Sequence, residues 1–219
     1  MVGGHADHLI RVLRAKIGQE FDIATGDKVR RGRVSSIGDS RVEFELGEEV
    51  ATVAPLQLTL ALAVFKFDRM EWAIEKCTEL GVSRIVPVIA RRTDSHLAAA
   101  AGKRSERWQR IVVEASEQAR RVSPPTVEAP VRFKEAAAMP GTRRVVLSEH
   151  EESLSLKDAL KSHSEGELVL AVGAEGGWTE EELAAFHQAG WTSASLGATI
   201  LRAETAAIAA VAVAVSELR

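Results

Sequence analysis

Leu168-Val169-Leu170-Ala171-Val172 runs into Gly173-Ala174-Glu175-Gly176-Gly177-Trp178 and then into Thr179-Glu180-Glu181-Glu182. The first five residues are a short unbroken apolar run, the pattern of a parallel strand buried on both faces. The last four open a helix: Thr179 offers a side-chain acceptor to the first turn, and Glu182, three residues on, completes a capping box. Gly190 closes that helix at its far end. Strand, glycine-rich loop and capped helix in immediate succession form the repeating unit of an α/β fold with a mainly parallel sheet.

The same alternation extends in both directions. Downstream, Ala194 to Leu196 reads as a last short strand, and Ala206 to Val215 as a helix apolar on nearly every side, hence buried or lying in an interface. Upstream, Val145-Val146-Leu147 is a further strand that ends at Ser148-Glu149-His150. Trp108, Ile111, Val112, Ala115 and Ala119 line one side of a long helix that must stop before Pro124-Pro125. Ile85 to Ile89 is a strand in which Pro87 marks an end, an edge or a bulge. Leu58 to Phe65 is another strand. Met70, Ile74, Cys77 and Leu80 share the apolar face of the helix that follows it, with Asp68 as N-cap, Glu71 three residues later and Gly81 as C-cap.

Before about Pro55 the period changes from helical to alternating. Phe21 to Ala24, Gly32 to Ile37 and Arg41 to Leu46 alternate, and are split by turns at Thr25-Gly26-Asp27 and Gly38-Asp39. That is the signature of antiparallel strands. A small β-barrel preceded by a short helix is expected over residues 1–54, and the α/β domain over residues 55–219.

With 219 residues, 46% hydrophobic and 27% charged, the chain can bury a sizeable core. The apolar run at 206–215 is far short of the roughly 20 residues of a membrane span. Met1-Val2-Gly3-Gly4 lacks the basic and apolar regions of a secretory signal, so a cytoplasmic location is expected. The single cysteine, Cys77, excludes an internal disulfide and reads as a small core hydrophobe. The six histidines show no zinc-like spacing, and no metal is expected. A net charge of −3 argues against nucleic acid, but its distribution is uneven. Arg84 to Arg121 holds nine basic residues against four acidic ones, and Glu135 to Arg219 six against thirteen. That is either a basic face for phosphates or a solvated helix face.

Ligands of such sheets sit beyond the carboxyl ends of the strands. Three loops qualify: Ser148-Glu149-His150, the 173–178 loop, and Leu196-Gly197-Ala198-Thr199-Ile200-Leu201-Arg202 leading into Ala203-Glu204-Thr205. The 173–178 loop fits neither the dinucleotide G-x-G-x-x-G fingerprint nor a P-loop, and Glu175 would repel phosphate. A cationic or neutral ligand with an adenosine moiety fits better, although each glycine loop alone also reads as a tight turn. Arg202 lies among apolar neighbours. It is either an ion-pair partner of Glu204 or Glu175, or a guanidinium facing a reacting centre.

These residues carry a resemblance. Val172-Gly173-Ala174-Glu175-Gly176-Gly177 resembles the I-G-P-E-G-G motif of the RsmE family, and Leu196 to Ala206 resembles its L-G-x-R-I-L-R-x-E-T-A motif. Thr78-Glu79-Leu80-Gly81-Val82, Glu117-Gln118-Ala119-Arg120-Arg121 and His8-Leu9-Ile10-Arg11-Val12-Leu13-Arg14 are similar to three further signatures, in the right order. The family's Pro in the first loop is Ala174 here, and its Arg before Ile200 is Thr199.

The resemblance implies a SPOUT methyltransferase with a C-terminal trefoil knot, a PUA-like RNA-binding barrel and a homodimer. It implies methylation of uridine N3 in 16S rRNA of the 30S subunit, with S-adenosylmethionine as donor. It places the cofactor on Leu147, Val172, Gly173, Glu175, Gly176 and Gly177, together with Leu196, Gly197, Ile200, Leu201 and Arg202. Arg202 is assigned to charge stabilisation. Glu175 would orient it or act as a base, and Arg121 would bind phosphate or complete a partner's site. Arg11, Arg14, Arg30, Arg31, Arg33, Arg91 and Arg92 are assigned to RNA. A related knotted enzyme acting on tRNA or a ribose 2′-hydroxyl, and a non-catalytic ribosome-assembly protein, are the competing readings.

Overall fold

In the computed structural model of the chain, residues 1–26, 28–51, 56–161 and 166–218 are described. The chain divides into two compact units, Met1–Ala54 and Pro55–Arg219. Asp27, in the first expected turn, and the segment 52–55 lie outside the described residues.

The N-terminal unit opens with α1 (Gly4–Asp7) and one π-helical turn, His8–Val12. Three antiparallel strands follow in a meander: β1 (Glu20–Thr25), β2 (Lys28–Gly38) and β3 (Arg41–Glu49). Val2 forms an isolated bridge to Arg41. The alternation sends Val34 and Val42 inward, where they meet Ala6 and Leu9. Phe21 and Phe44 pack edge-on with ring centroids 6.3 Å apart.

The second unit is built on seven parallel strands. β4 (Leu58–Ala63) pairs on one side with β5 (Arg84–Ile89), which carries β6 (Thr126–Val127) and β7 (Val131–Arg132) on its outer edge. On the other side β4 pairs with β9 (Leu168–Val172), then β8 (Arg143–Leu147), then β10 (Thr192–Ala194). Every residue of β4 and β9 is buried, because helices cover both faces of a parallel sheet.

Pro87 lies inside β5 and not at its end. The Ile85 carbonyl accepts from the Glu128 N–H on the outer side. Two residues on, the Pro87 nitrogen faces the same side, where β6 has ended and β7 has not begun. Its missing N–H is therefore not needed.

The helices are α2 (Phe67–Leu80), α3 (Ser95–Ala100), α4 (Ser105–Gln118), α5 (Phe133–Ala137), α6 (Leu156–Leu160), α7 (Glu180–Gln188) and α8 (Ala203–Leu218). The expected cap at Asp68 is not formed. Lys66 holds the N-cap position and its carbonyl already accepts from Arg69 and Met70, so Asp68 falls inside the first turn. Glu71 instead pairs with Arg107 at 2.7 Å and Arg104 at 3.4 Å. These pairs, with Arg84–Glu128, use part of the basic surplus of the 84–121 segment.

Met70, Ile74 and Cys77 are buried on α2, and burial pushes the Cys77 thiol up. The stretch expected as a strand at 194–196 is shifted, because Ser195 leaves the sheet to bridge Ser155. α8 buries one stripe (Ala203, Glu204, Ala207, Ala210, Val211 and Ala214) and leaves Ile208, Val213 and Val215 half-buried. No helix among the described residues is long and apolar enough to cross a membrane.

Candidate functional site

β10, β8 and β9 are neighbours in the sheet, so the loops leaving their carboxyl ends open side by side. Together they line a cavity that opens to solvent. Leu147, Ser148 and Glu149 come from the end of β8. Val172, Gly173, Glu175 and Gly177 come from the end of β9. Ser195, Leu196, Gly197, Thr199, Ile200 and Leu201 follow β10, and Ala206 is contributed by α8.

The 173–178 loop is a turn closed by the Gly177 N–H, which donates to the Ala174 carbonyl at 2.8 Å. Gly177 has φ +69°, and a side chain there would lie 2.3 Å from Glu149 Oε1. Only glycine combines that backbone conformation with so close an approach. Gly173 packs against the backbone of the same residue, with 2.9 Å from a built Cβ to the Gly177 carbonyl carbon. The two glycines thus form a bare backbone cradle beneath the Glu149 carboxylate.

Behind the loop, Thr179 and Glu182 form the expected capping box of α7. Glu182 is 2% exposed and its Oε1 also accepts from the Arg91 N–H at 2.8 Å. The Arg92 guanidinium donates to the Gly176 carbonyl. Two of the seven arginines expected at RNA are thus held here, Arg91 by its backbone N–H to the first turn of α7 and Arg92 by its side chain to the glycine loop.

Of the residues assigned to the cofactor, Leu147, Val172, Gly173, Glu175, Gly177, Leu196, Gly197, Ile200 and Leu201 line the cavity, and Gly176 and Arg202 do not. Arg202 is exposed just ahead of α8 and has no side-chain partner among the described residues. Neither pairing read for it is present. Glu204 is held by Arg69 at 3.3 Å, and Glu175 makes no side-chain hydrogen bond. Because Arg202 is solvated, it needs no compensating charge. Arg121 is outside the cavity lining; its Nη1 donates to the Thr78 carbonyl at 2.6 Å, at the end of α2.

In the N-terminal unit, Arg11 and Arg14 are exposed and without partners among the described residues. Arg30 donates to the Gly47 carbonyl at 2.7 Å. Arg31 is paired with Asp22 at 3.0 Å across the β1–β2 ladder, and Arg33 lies opposite Glu20 in the same register.

Ser148, Glu149, Ser195, Thr199 and Ala206 line the cavity but are not among the residues assigned from the sequence. The one available signal was the position of Ser148-Glu149-His150 after a strand. That this strand lies between β9 and β10 is a matter of topology, invisible along the chain.

The α/β domain that carries these three loops is of the RNA methyltransferase class: the family model described as an RNA methyltransferase domain matches residues 52–215. Full-length similarity narrows the class. Ribosomal RNA small subunit methyltransferase E of Synechocystis sp. is 36% identical over 94% of this chain and 68% of the relative, and that of Rickettsia conorii is 32% identical over 95% and 85%. The crystal structure of a ribosomal RNA small subunit methyltransferase E from Neisseria gonorrhoeae bound to S-adenosyl methionine has 34% identity and a TM-score of 0.81, covering 97% of this chain and 88% of that one. The chain belongs to the ribosomal RNA small subunit methyltransferase E family, RsmE.

Proposed function

We propose that this chain transfers a methyl group from S-adenosylmethionine to N3 of a uridine in 16S ribosomal RNA, acting on the 30S subunit. The observation that carries the reading is the cavity at the ends of β8, β9 and β10, which suits this donor. Leu147, Val172, Leu196 and Leu201 offer apolar surface for adenine, the glycine cradle allows close backbone approach, and two carboxylates suit a cation. When bound, the donor supplies a methyl group already activated on a sulfonium.

The chain's own residues then have three tasks. The loops align donor and base and exclude water. Arg202, solvated and unpaired beside the cavity, is free to hydrogen-bond a uracil carbonyl as N3 gives up its proton and negative charge spreads onto the oxygens. Glu175, also without a side-chain partner among the described residues, would orient Arg202 or take the N3 proton through water. Arg121 would meet substrate phosphate or serve a partner's site. Uridine N3 is reachable only in an unpaired or flipped base.

The finer architecture belongs to the same reading. The β1–β3 meander with exposed Arg11, Arg14 and Arg33 supports a PUA-like RNA-binding module, with Arg30 and Arg31 contributing less because they are already engaged; Arg91 and Arg92 are candidate RNA contacts of the second unit. β10 lying outside β8, with α8 packed back on α2, α6 and β9, supports a trefoil knot. The half-buried apolar side of α8 supports a homodimer. The place of action would be the cytoplasm, with its ribosomal subunits.

The test is methyl transfer from labelled donor to three acceptors: assembled 30S subunits, naked 16S RNA and tRNA. Labelling of 30S subunits above the other two is expected. Labelling of tRNA alone, or of none while a control enzyme labels its own acceptor, would overturn the proposal.

A further inference from the structure

The cavity lining contains two carboxylates, Glu149 and Glu175, and no lysine, arginine or histidine. The two acids are held differently. Glu175 is exposed in the middle of its loop. Glu149 is seated over the bare face of Gly177, where a side chain at 177 would meet its two oxygens at 2.3 and 2.8 Å. Its side chain is 35% exposed, and the neighbouring imidazole, His150 Nε2, stands 3.9 Å away and 69% exposed. One carboxylate of the cavity wall thus rests against the loop backbone, and its charge is largely uncompensated.

We infer that Glu149 is a specificity-determining residue that senses the charge on the donor's sulfur; this rests on the cavity being the S-adenosylmethionine site. The donor and its product share adenine, ribose, ammonium and carboxylate groups. They differ by the methyl group and by one positive charge, since the sulfonium becomes a neutral thioether on transfer. A carboxylate in the wall favours the charged form and loses that attraction once the methyl has left. Glu149 then promotes both donor capture and product release. Because it is partly solvated, the expected discrimination is modest, about fivefold to tenfold.

Calorimetric titration of wild-type protein, Glu149→Gln and Glu175→Gln with three ligands tests this. The ligands are S-adenosylmethionine, S-adenosylhomocysteine and sinefungin, which carries an amine where the donor has its sulfonium. Glu149→Gln should weaken the two cationic ligands about fivefold to tenfold and change S-adenosylhomocysteine less than about twofold, with a smaller effect from Glu175→Gln. Equal weakening of all three would mean that Glu149 reads the ribose or the ammonium group, and would overturn the assignment, as would no weakening. Should Glu149→Gln fail to fold, the wild type still decides. Its preference for donor over product must shrink as salt rises, and a preference independent of salt contradicts the inference. A wild type that binds none of the three removes the cofactor reading, and this assignment with it.

Discussion

Arg69 on α2 and Glu204 at the start of α8 form an ion pair, Nη1 to Oε1 at 3.3 Å, with the Glu204 side chain 6% exposed. Glu204 Oε2 is buried without a partner. The pair pins the first turn of α8, and with it the end of the 196–202 loop, to the helix that follows β4. Arg69→Ala leaves a buried carboxylate uncompensated. Because Arg69 is itself 34% exposed, the loss should fall below that of a fully buried pair, at about 2–3 kcal/mol. Thermal unfolding should show a fall of roughly 5–10 °C. Glu204→Gln, which removes the buried charge, should cost less than Arg69→Ala; a larger loss would show that the pair itself is not what anchors α8.

Gly177→Ala tests the cradle. The built Cβ meets the far end of a flexible side chain, so Glu149 can swing aside, and the main cost is the positive φ, about 1–2 kcal/mol. The protein should remain folded with a Tm lower by roughly 3–6 °C. Donor affinity should fall as well, because the displaced carboxylate no longer lines the cavity. Unchanged affinity in calorimetry would show that the loop does not shape the site.

Glu182 carries two connections at once, to the Thr179 N–H at 2.9 Å and the Arg91 N–H at 2.8 Å. Its replacement by alanine removes a reciprocal cap and leaves two donors to find water, at about 2 kcal/mol. Glu180, exposed in the same turn, is the control, and its alanine variant should stay within about 0.5 kcal/mol of wild type. Chemical denaturation of both variants checks the contrast; equal losses would contradict it.

The two arginines proposed for chemistry should separate cleanly. Arg202 is solvated and unpaired, so Arg202→Ala should keep stability within about 0.5 kcal/mol. Its methyl transfer should fall on the order of a hundredfold or more, with donor binding retained. Arg121 is bonded to the Thr78 carbonyl, so Arg121→Ala should lose about 1 kcal/mol of stability whatever its effect on transfer. An Arg202→Ala protein that is folded, binds donor and methylates at the normal rate would remove Arg202 from the mechanism.

Much of this layout was legible along the chain because its signals are local. The capping box of Thr179 and Glu182, the apolar run of β9 and the glycines of the 173–178 loop each depend on neighbours a few residues away. What was not legible depends on distant partners. Asp68 looks like a cap, but the helix has already begun at Phe67, with Lys66 in the N-cap position. Arg31 and Arg33 looked like free phosphate contacts, yet strand register sets them opposite Asp22 and Glu20. Arg202 sits among apolar letters, which leaves an ion pair and a guanidinium facing a reacting centre equally open, and only the fold shows that its side chain is solvated. Glu149 enters the site only because β8 lies between β9 and β10, an order that no local pattern encodes.

The most direct test is the identity of the modified nucleoside. Unmodified 30S subunits are incubated with the protein and methyl-labelled S-adenosylmethionine, and the RNA is digested and separated. The label is predicted to run as 3-methyluridine. Label in another nucleoside, or in a ribose 2′-O-methyl group, would contradict the account.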